Sequence, residues 1–215
     1  MYTLYYYPNN ASLAPHFLLH HMGLDYELVL VDKESNAQKS DEYLKLNPAG
    51  RIPTLVDKGQ AIFESSAICI HLCESHPEHG LIPPMGDPLR PLFFQWLAFL
   101  NNTLQAELMV YYYPHRHTDR EDTVPSVRAA QQQCIANALS IINDQLELQP
   151  YLLGEQLSAC DYFLFMLAEW SLPIEQSPLS FKNLAAYLKR MAENPSIRAV
   201  CDIEGMDISP FAEGV

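Results

Sequence analysis

The sequence predicts an α/β domain over residues 1–80, a linker over 81–88 and an all-helical domain over 89–215. Two observations indicate this division. Short strand-like runs alternate with amphipathic runs up to about residue 80, whereas only helical patterns follow further along the chain. Between them, residues 77–91 are rich in proline and glycine, which is typical of a connection between domains.

The N-terminal patterns follow the order β-α-β-α-β-β-α, which is typical of an α/β domain. The first strand is predicted at 3–7, where aromatic and β-branched residues end at a turn that begins with Pro8. A hairpin turn is predicted at 57–60, around Gly59. The remaining elements are a helix at 12–22, a strand at 26–31, a helix at 40–46, strands at 52–56 and 61–63, and a helix at 65–74.

Helical periodicity dominates the C-terminal part, and no strand is predicted there. This part is therefore expected to be all-α. The final ten residues, 206–215, are predicted to form a tail. The predicted helices cover residues 89–113, 124–147, 159–170, 181–193 and 195–202.

Charge and composition argue against several classes of function. The chain carries 13 Lys and Arg against 26 Asp and Glu, a net charge of −13. Such acidity argues against nucleic acid and against anionic membrane surfaces as partners, because both call for a basic face. No apolar stretch approaches the roughly 20 residues of a membrane span, and the start lacks the pattern of a signal peptide. We therefore expect a cytoplasmic protein.

The cysteines and histidines predict neither disulfides nor a metal site. The five cysteines are odd in number, form no CxxC pair and lie in apolar helical patterns. The histidines lack a matching set of ligands at metal spacing. The cysteines are interpreted as reduced residues of the core: Cys69, Cys73, Cys134, Cys160 and Cys201.

Two short motifs of the N-terminal domain can be purely structural, as a proline at a strand edge and a plain helix cap, or can contribute to a binding site. Ile52-Pro53 opens a predicted strand, where the backbone of Ile52 can pair with a peptide-like ligand in the manner of an added strand. Glu64-Ser65 ends a strand and opens a helix. The free N–H groups of a helix start suit a carboxylate, and the Glu64 side chain can accept from an ammonium group.

A third motif, in which Ser158 and Asp161 stand three apart, has the spacing of a capping box and is expected to serve folding alone. Together with the order of elements, the three motifs resemble those of the cytosolic glutathione transferases over the whole chain. The resemblance implies a thioredoxin-like N-terminal domain that binds glutathione, an all-α C-terminal domain and a homodimer. It also implies a cis bond before Pro53. For the glycine carboxylate of glutathione, it points to Gln38, Lys39 and Arg51.

The resemblance places the group that activates the glutathione thiol just after the first strand. The segment from Tyr6 to His16 resembles that of the bacterial beta class, but Ala11 stands where that class has its cysteine. We therefore expect no mixed disulfide from this position. Ser12, at the start of the first helix, is the leading candidate to hydrogen-bond the thiolate, and it can equally be a plain helix cap. The Asn10 amide and the Tyr6 phenol are the alternatives.

In the family, the electrophilic second substrate binds between the domains, beside the first helical hairpin. The corresponding segment of this chain clusters aromatic and basic residues next to Pro114, where a long helix is predicted to end. Such side chains can hold a flat ligand and a developing negative charge, or they can simply be the solvated end of a helix. The candidates are Tyr111, Tyr112, His115 and Arg116.

The resemblance thus implies an enzyme that joins the glutathione thiolate to a small hydrophobic electrophile. Two other functions remain open. One is a glutathione-dependent disulfide reductase or peroxidase, since glutathione itself can supply the sulfur. The other is a non-catalytic, transferase-like binding protein. The set formed by Ile52, Pro53, Glu64 and Ser65 favours a protein that binds glutathione over this last alternative.

Overall fold

The structure, a computed structural model, describes residues 1–212, so the last three residues of the predicted tail lie outside it. It contains two compact units. The N-terminal unit comprises Met1–Pro84 and Glu193–Ile208, and the helical unit comprises Met85–Ala192 and Ser209–Ala212. The helices are α1 (Leu13–His21), α2 (Asp41–Leu46), α3 (Ser65–Ser75), α4 (Arg90–Phe99), α5 (Gln105–Tyr112), α6 (Val124–Gln145), α7 (Ala159–Ser171), α8 (Lys182–Ala192), α9 (Pro195–Glu204) and α10 (Ser209–Ala212).

The N-terminal unit is built on a mixed four-stranded sheet, which confirms the predicted thioredoxin-like α/β class. Its strands are β1 (Tyr2–Tyr6), β2 (Tyr26–Leu30), β3 (Thr54–Asp57) and β4 (Gln60–Phe63), in the spatial order β2-β1-β3-β4. β1 and β2 run parallel because α1 carries the chain back between them, and the other neighbours are antiparallel. Lys58 and Gly59 join β3 to β4 with positive φ at both positions, as a two-residue hairpin requires.

The core of the N-terminal unit lies between the sheet and the helices α1 and α3. Leu4 of β1 and Leu55 of β3 are fully buried, as are Phe17 of α1 and Leu72 of α3. Their burial follows the pattern of the sequence, since alternate strand residues and one face of each helix are apolar. The sheet and its helices thereby fix the loops that leave β1 and enter α3.

Helix α9 packs against α1 and belongs to the N-terminal unit. The sequence-based division put every residue after 88 into the helical domain, whereas the structure groups Glu193–Ile208 with the N-terminal unit. Ile197, Val200 and Cys201 form the apolar face of α9 and are fully buried. Helical periodicity identifies such a face but not the surface that covers it, so the pattern alone did not show this placement.

The first helix of the helical unit is continuous from α4 to α5, through a π-helical stretch at Leu100–Leu104. Helix α7 is the centre of this unit, because its residues from Ala159 to Ala168 are all buried.

Part of the predicted tail also folds. α10 is helical, and Phe211 is buried with its ring 5.0 Å from that of Phe165.

All five cysteines are free thiols, but they are not all part of a core. Four are buried, whereas Cys134 of α6 is exposed, which corrects the prediction for that residue. Cys134 precedes the buried Ile135 by one position, a rotation of about 100° around the helix axis. Burial raises the pKa of the Cys73 thiol to about 12. Within residues 1–212, no helix is long and apolar enough to cross a membrane, and no cluster of side chains suits a metal ion.

Candidate active site

Ser12 precedes α1, and its hydroxyl is enclosed by the protein. The residue is fully buried. Its Oγ donates to the Tyr7 carbonyl at 3.2 Å and accepts from the Tyr7 N–H at 3.4 Å. The hydroxyl hydrogen is therefore used within the loop that follows β1. Its predicted role as thiol activator stays a prediction, and the contacts that the structure shows are structural ones.

Asn10, in the same loop, has a side-chain NH₂ group that is available to donate hydrogen bonds. Its Oδ1 accepts the Ala11 N–H at 2.9 Å, and its carbonyl accepts the Leu13 N–H at 2.9 Å. These two bonds fix the residue at the start of α1. The NH₂ group of the side chain has no acceptor among residues 1–212, and the residue is partly exposed. An amide with its oxygen used and its two N–H donors open is suited to bind an anion.

Tyr6 is packed on the helix side of the sheet. It shares the face of β1 that carries Leu4, because the two residues are two positions apart. Its ring makes an edge contact with the ring of His16 in α1, with 6.3 Å between the centroids. This contact packs the ring against α1, and the catalytic role considered for the Tyr6 phenol stays a prediction.

The Ile52–Pro53 bond is cis, as the family resemblance implied. Ile52 precedes β3, which begins at Thr54 rather than at the predicted residue 52. Pro53 has no N–H to donate to a strand ladder. The backbone N–H and C=O of Ile52 have no hydrogen-bond partner within the described part of the chain. They are the pair that an extended, peptide-like ligand can engage.

The loop before Ile52 is held by two side chains that the sequence analysis missed. Asn47 is buried, and its amide donates to the Arg51 carbonyl at 2.8 Å. The Tyr43 hydroxyl donates to the same carbonyl at 2.8 Å and lies 2.9 Å from Thr54 Oγ1. Burial raises the pKa of Tyr43. One signal for Asn47 was present in the sequence, because a segment such as Asn47-Pro48-Ala49-Gly50 is typical of a turn in which the Asn side chain bonds to the backbone.

Gly50 allows this loop to approach the segment 37–39. Its φ is +58°, and a Cβ there would lie 2.9 Å from the Gln38 carbonyl oxygen and 2.7 Å from Lys39 Nζ.

We expect Gly50→Ala to destabilise the protein by about 1–3 kcal/mol, because strain and a backbone clash add. Gly23→Ala is the matched control, since Gly23 has a φ of +61° and no atom within 4 Å of its Cβ position. Urea denaturation of the two variants measures the difference, and equal losses would contradict the clash.

Glu64 and Ser65 stand where β4 ends and α3 begins. Glu64 is exposed and has a φ of 71°, a strained conformation for this residue type that is typical of functional sites. Ser65 is buried, and its hydroxyl donates to the Ala11 carbonyl at 2.6 Å. The hydroxyl hydrogen that was predicted for a ligand carboxylate is thus used within the protein. The bond instead joins the start of α3 to the Asn10 loop.

The three candidates for the glycine carboxylate differ in their surroundings. Lys39 is exposed, and its Nζ donates to the Ala49 carbonyl at 3.2 Å. The Arg51 side chain is exposed. Gln38 Oε1 is buried and has no partner within the described residues, while Gln38 Nε2 lies 3.5 Å from Asn36 Oδ1. An amide has no net charge, so the two cations are the stronger candidates.

The four candidates for the electrophile lie at the end of α5 and just beyond it. The Tyr112 hydroxyl donates to the Trp170 carbonyl, and burial raises its pKa to about 12. The Arg128 guanidinium lies 5.6 Å from the Tyr111 ring centroid. His115 and Arg116 are exposed, and the structure does not join them to the two tyrosines through a hydrogen bond. The four residues are close in the sequence, but only some of them contact one another in the structure.

Comparison with known proteins agrees with this fold. The family model described as "Glutathione S-transferase, N-terminal domain" matches residues 1–74, and the model of the C-terminal domain of the same family matches residues 102–195. The chain is 28% identical to glutathione S-transferase GstA of Escherichia coli O157:H7, over 94% of this chain and 98% of that protein.

Solved structures show the same relationship. A glutathione transferase from Methylococcus capsulatus is 30% identical, with a TM-score of 0.84 and coverage of 95% of this chain and 99% of the other. A sphingomonad glutathione S-transferase complexed with glutathione is 26% identical, with a TM-score of 0.83 and coverage of 95% and 100%. The chain therefore belongs to the cytosolic glutathione transferase superfamily. Its enzyme class is that of the family, glutathione transferase.

Proposed function

We propose that this protein binds glutathione in its N-terminal unit and transfers the thiolate to a small hydrophobic electrophile. The observation that carries the proposal is the Asn10 amide, whose two N–H donors are open at the start of α1. A donor aimed at sulfur favours the thiolate over the thiol, and the thiolate is the reactive form. The start of α1 adds the positive end of a helix dipole.

The rest of the tripeptide is assigned to the surrounding loops. Ile52 pairs with the cysteinyl backbone of glutathione through its unpaired N–H and C=O. The γ-glutamyl carboxylate binds the backbone N–H groups at the start of α3, where Ser65 lies, and Glu64 accepts from the ammonium group. Lys39 and Arg51 bind the glycine carboxylate. These assignments are supported by chemistry and by position in the fold.

The mechanism consists of thiolate stabilisation followed by attack on a bound electrophile. Binding of both reactants by one protein makes the attack effectively unimolecular. We assign the electrophile to the aromatic and basic residues Tyr111, Tyr112, His115 and Arg116. Of these, the two exposed basic side chains are best suited to charge that develops in the transition state.

We further propose a cytoplasmic homodimer. Apolar side chains are exposed at the beginning of the helical unit, around the start of α4. They are Met85, Leu89, Leu92 and Phe94, with exposed fractions from 39% to 84%. Large apolar side chains exposed close together in the sequence are candidates for an interface. Sedimentation equilibrium tests this assignment, and a monomer at micromolar concentration would contradict it.

The proposed activity is tested by binding and turnover in one preparation. We expect retention on glutathione agarose and conjugation of chlorodinitrobenzene. Hydroperoxide and mixed-disulfide substrates are assayed in parallel, and turnover of these alone would replace the proposal with the reductase or peroxidase alternative. Retention without any turnover would favour the binding protein. Absence of retention would contradict glutathione binding itself.

The variant Ser12→Ala separates the two roles considered for this residue. The substitution leaves the Tyr7 carbonyl without its buried donor, so we expect a loss of about 1–3 kcal/mol in the free energy of unfolding. We expect kcat/KM of the folded variant to stay within about threefold of the parent value, because the hydroxyl hydrogen is engaged by the Tyr7 carbonyl. Chemical denaturation and steady-state kinetics give the two numbers. A tenfold loss of kcat/KM would restore Ser12 as the activator.

A further inference from the structure

A buried polar network joins the end of α9 to the loop that carries Asn10. The side chains of Glu204 and His16 are both fully buried, with 2.7 Å between Glu204 Oε1 and His16 Nδ1. The other carboxylate oxygen, Oε2, accepts the backbone N–H of Asn9 at 3.0 Å. One carboxylate thus holds a helix and a loop that are 195 positions apart in the chain.

The orientation of Glu204 is itself fixed. A carboxylate only accepts, so His16 donates from Nδ1, and its Nε2 lies 3.1 Å from the Tyr26 hydroxyl. The rings of Tyr6 and Tyr26 contact the imidazole edge-on, at 6.3 and 5.4 Å between centroids. Burial and the nearby Glu204 carboxylate raise the pKa of Tyr26. The imidazole cannot rotate freely, and neither can the carboxylate that it holds.

The bond to Asn9 acts on a residue in a left-handed turn conformation. Asn9 has a φ of 50°, which asparagine tolerates better than most residues other than glycine. The hydrogen bond from its N–H to Glu204 helps to hold this turn in place. The next residue is Asn10, and the carbonyl of Ala11 is held from the other side by Ser65. The residues on both sides of Asn10 are therefore held by hydrogen bonds, Asn9 by Glu204 and Ala11 by Ser65.

We propose that Glu204 and His16 are positioning residues for thiol activation, which act by holding Asn9 so that the Asn10 amide meets the sulfur. The inference rests on the proposed function. A displacement of about 1 Å in such a donor is enough to change a rate by orders of magnitude. Nothing in the sequence pattern marks Glu204, because its partner lies in another element at the opposite end of the chain.

The test compares Glu204→Met with Glu204→Gln. Methionine fills a similar volume but offers Asn9 no strong acceptor, whereas glutamine keeps one oxygen for the Asn9 N–H. We expect Glu204→Met to raise the pKa of the bound glutathione thiol by about one unit and to lower kcat/KM at pH 6.5 about tenfold. The KM for glutathione is expected to change less than threefold. Glu204→Gln is expected to stay within about threefold of the parent in every parameter.

Val200→Ala is the matched control, because Val200 is fully buried on the same helix and lies outside the network. It is expected to lower stability without moving the thiol pKa. If Glu204→Met also changes only stability, the positioning role is wrong. If Glu204→Met does not fold, Glu204→Asp is used in its place. The aspartate side chain is one methylene shorter, so its oxygens lie further from the Asn9 N–H, and the same result is expected. If the proposed function itself is wrong, glutathione added to the parent protein forms no bound thiolate. This result is distinct from an unchanged thiol pKa in the Glu204→Met variant.

Discussion

Replacing Asn10 by aspartate is expected to lower kcat/KM for glutathione conjugation about 10- to 100-fold at pH 6.5. Aspartate keeps the oxygen that accepts the Ala11 N–H, so the loop retains its hydrogen bond. It removes both N–H donors and places a negative charge beside the thiolate. Each unit by which the thiol pKa rises lowers the thiolate fraction about tenfold below that pKa.

The pH dependence distinguishes this effect from a loss of binding. Above the raised thiol pKa the sulfur is ionised in both proteins, so the deficit is expected to shrink as pH rises toward 9. Asn10→Ala, which removes the donors and adds no charge, is expected to show a smaller deficit of the same kind. Steady-state kinetics from pH 6 to 9 provide the comparison. A deficit that is constant over this range would instead indicate misplaced substrate.

Replacing Asp161 by alanine is expected to destabilise the helical unit by about 3–5 kcal/mol. The Asp161 carboxylate is fully buried at the start of α7. It accepts from the Leu152 N–H at 3.1 Å, from the Ser158 N–H and hydroxyl at 2.8 Å each, and from the Tyr187 hydroxyl at 3.1 Å. Alanine leaves several buried donors without an acceptor, and each such donor costs about 1–3 kcal/mol.

Two milder variants keep this prediction measurable if Asp161→Ala does not fold. Asp161→Asn retains one acceptor oxygen and is expected to cost less than alanine. Tyr187→Phe removes the hydroxyl that lies 3.1 Å from Asp161 Oδ1 and 3.3 Å from the Asp161 carbonyl oxygen, and it is expected to cost about 1 kcal/mol. Urea denaturation followed by circular dichroism gives the free energy of unfolding for each. A loss below about 1 kcal/mol for Asp161→Ala would show that the network contributes little.

The fold could be predicted from the sequence because its elements are locally encoded. The hairpin at Lys58-Gly59 follows from turn chemistry, and the start of α7 follows from the spacing of Ser158 and Asp161. The strands of the sheet follow from short apolar runs bounded by turn residues. For these elements, the residues that determine the structure are within a few positions of one another.

The site could be predicted only in part, because its decisive contacts are distant in the sequence. The motif at Ile52-Pro53 predicted a backbone pair for a ligand, and in the structure the N–H and C=O of Ile52 are unpaired within the described residues. The enclosure of the Ser12 hydroxyl by Tyr7 is visible only in three dimensions. Burial determines which polar group stays open to a ligand. The spacing of residues in the sequence does not show which groups are buried. For the same reason, the hydrogen bond between Asn9 and Glu204 could not be predicted from the sequence pattern.

The central claim is that the Asn10 amide stabilises a glutathione thiolate, and a direct titration tests it. The ultraviolet absorbance of the thiolate is followed against pH for glutathione bound to the parent protein and to Asn10→Asp. We predict a thiol pKa at least about one unit below the roughly 8.5 of a free cysteine on the parent protein, and a return toward that value in the variant. The same lowered pKa in both proteins would contradict the claim.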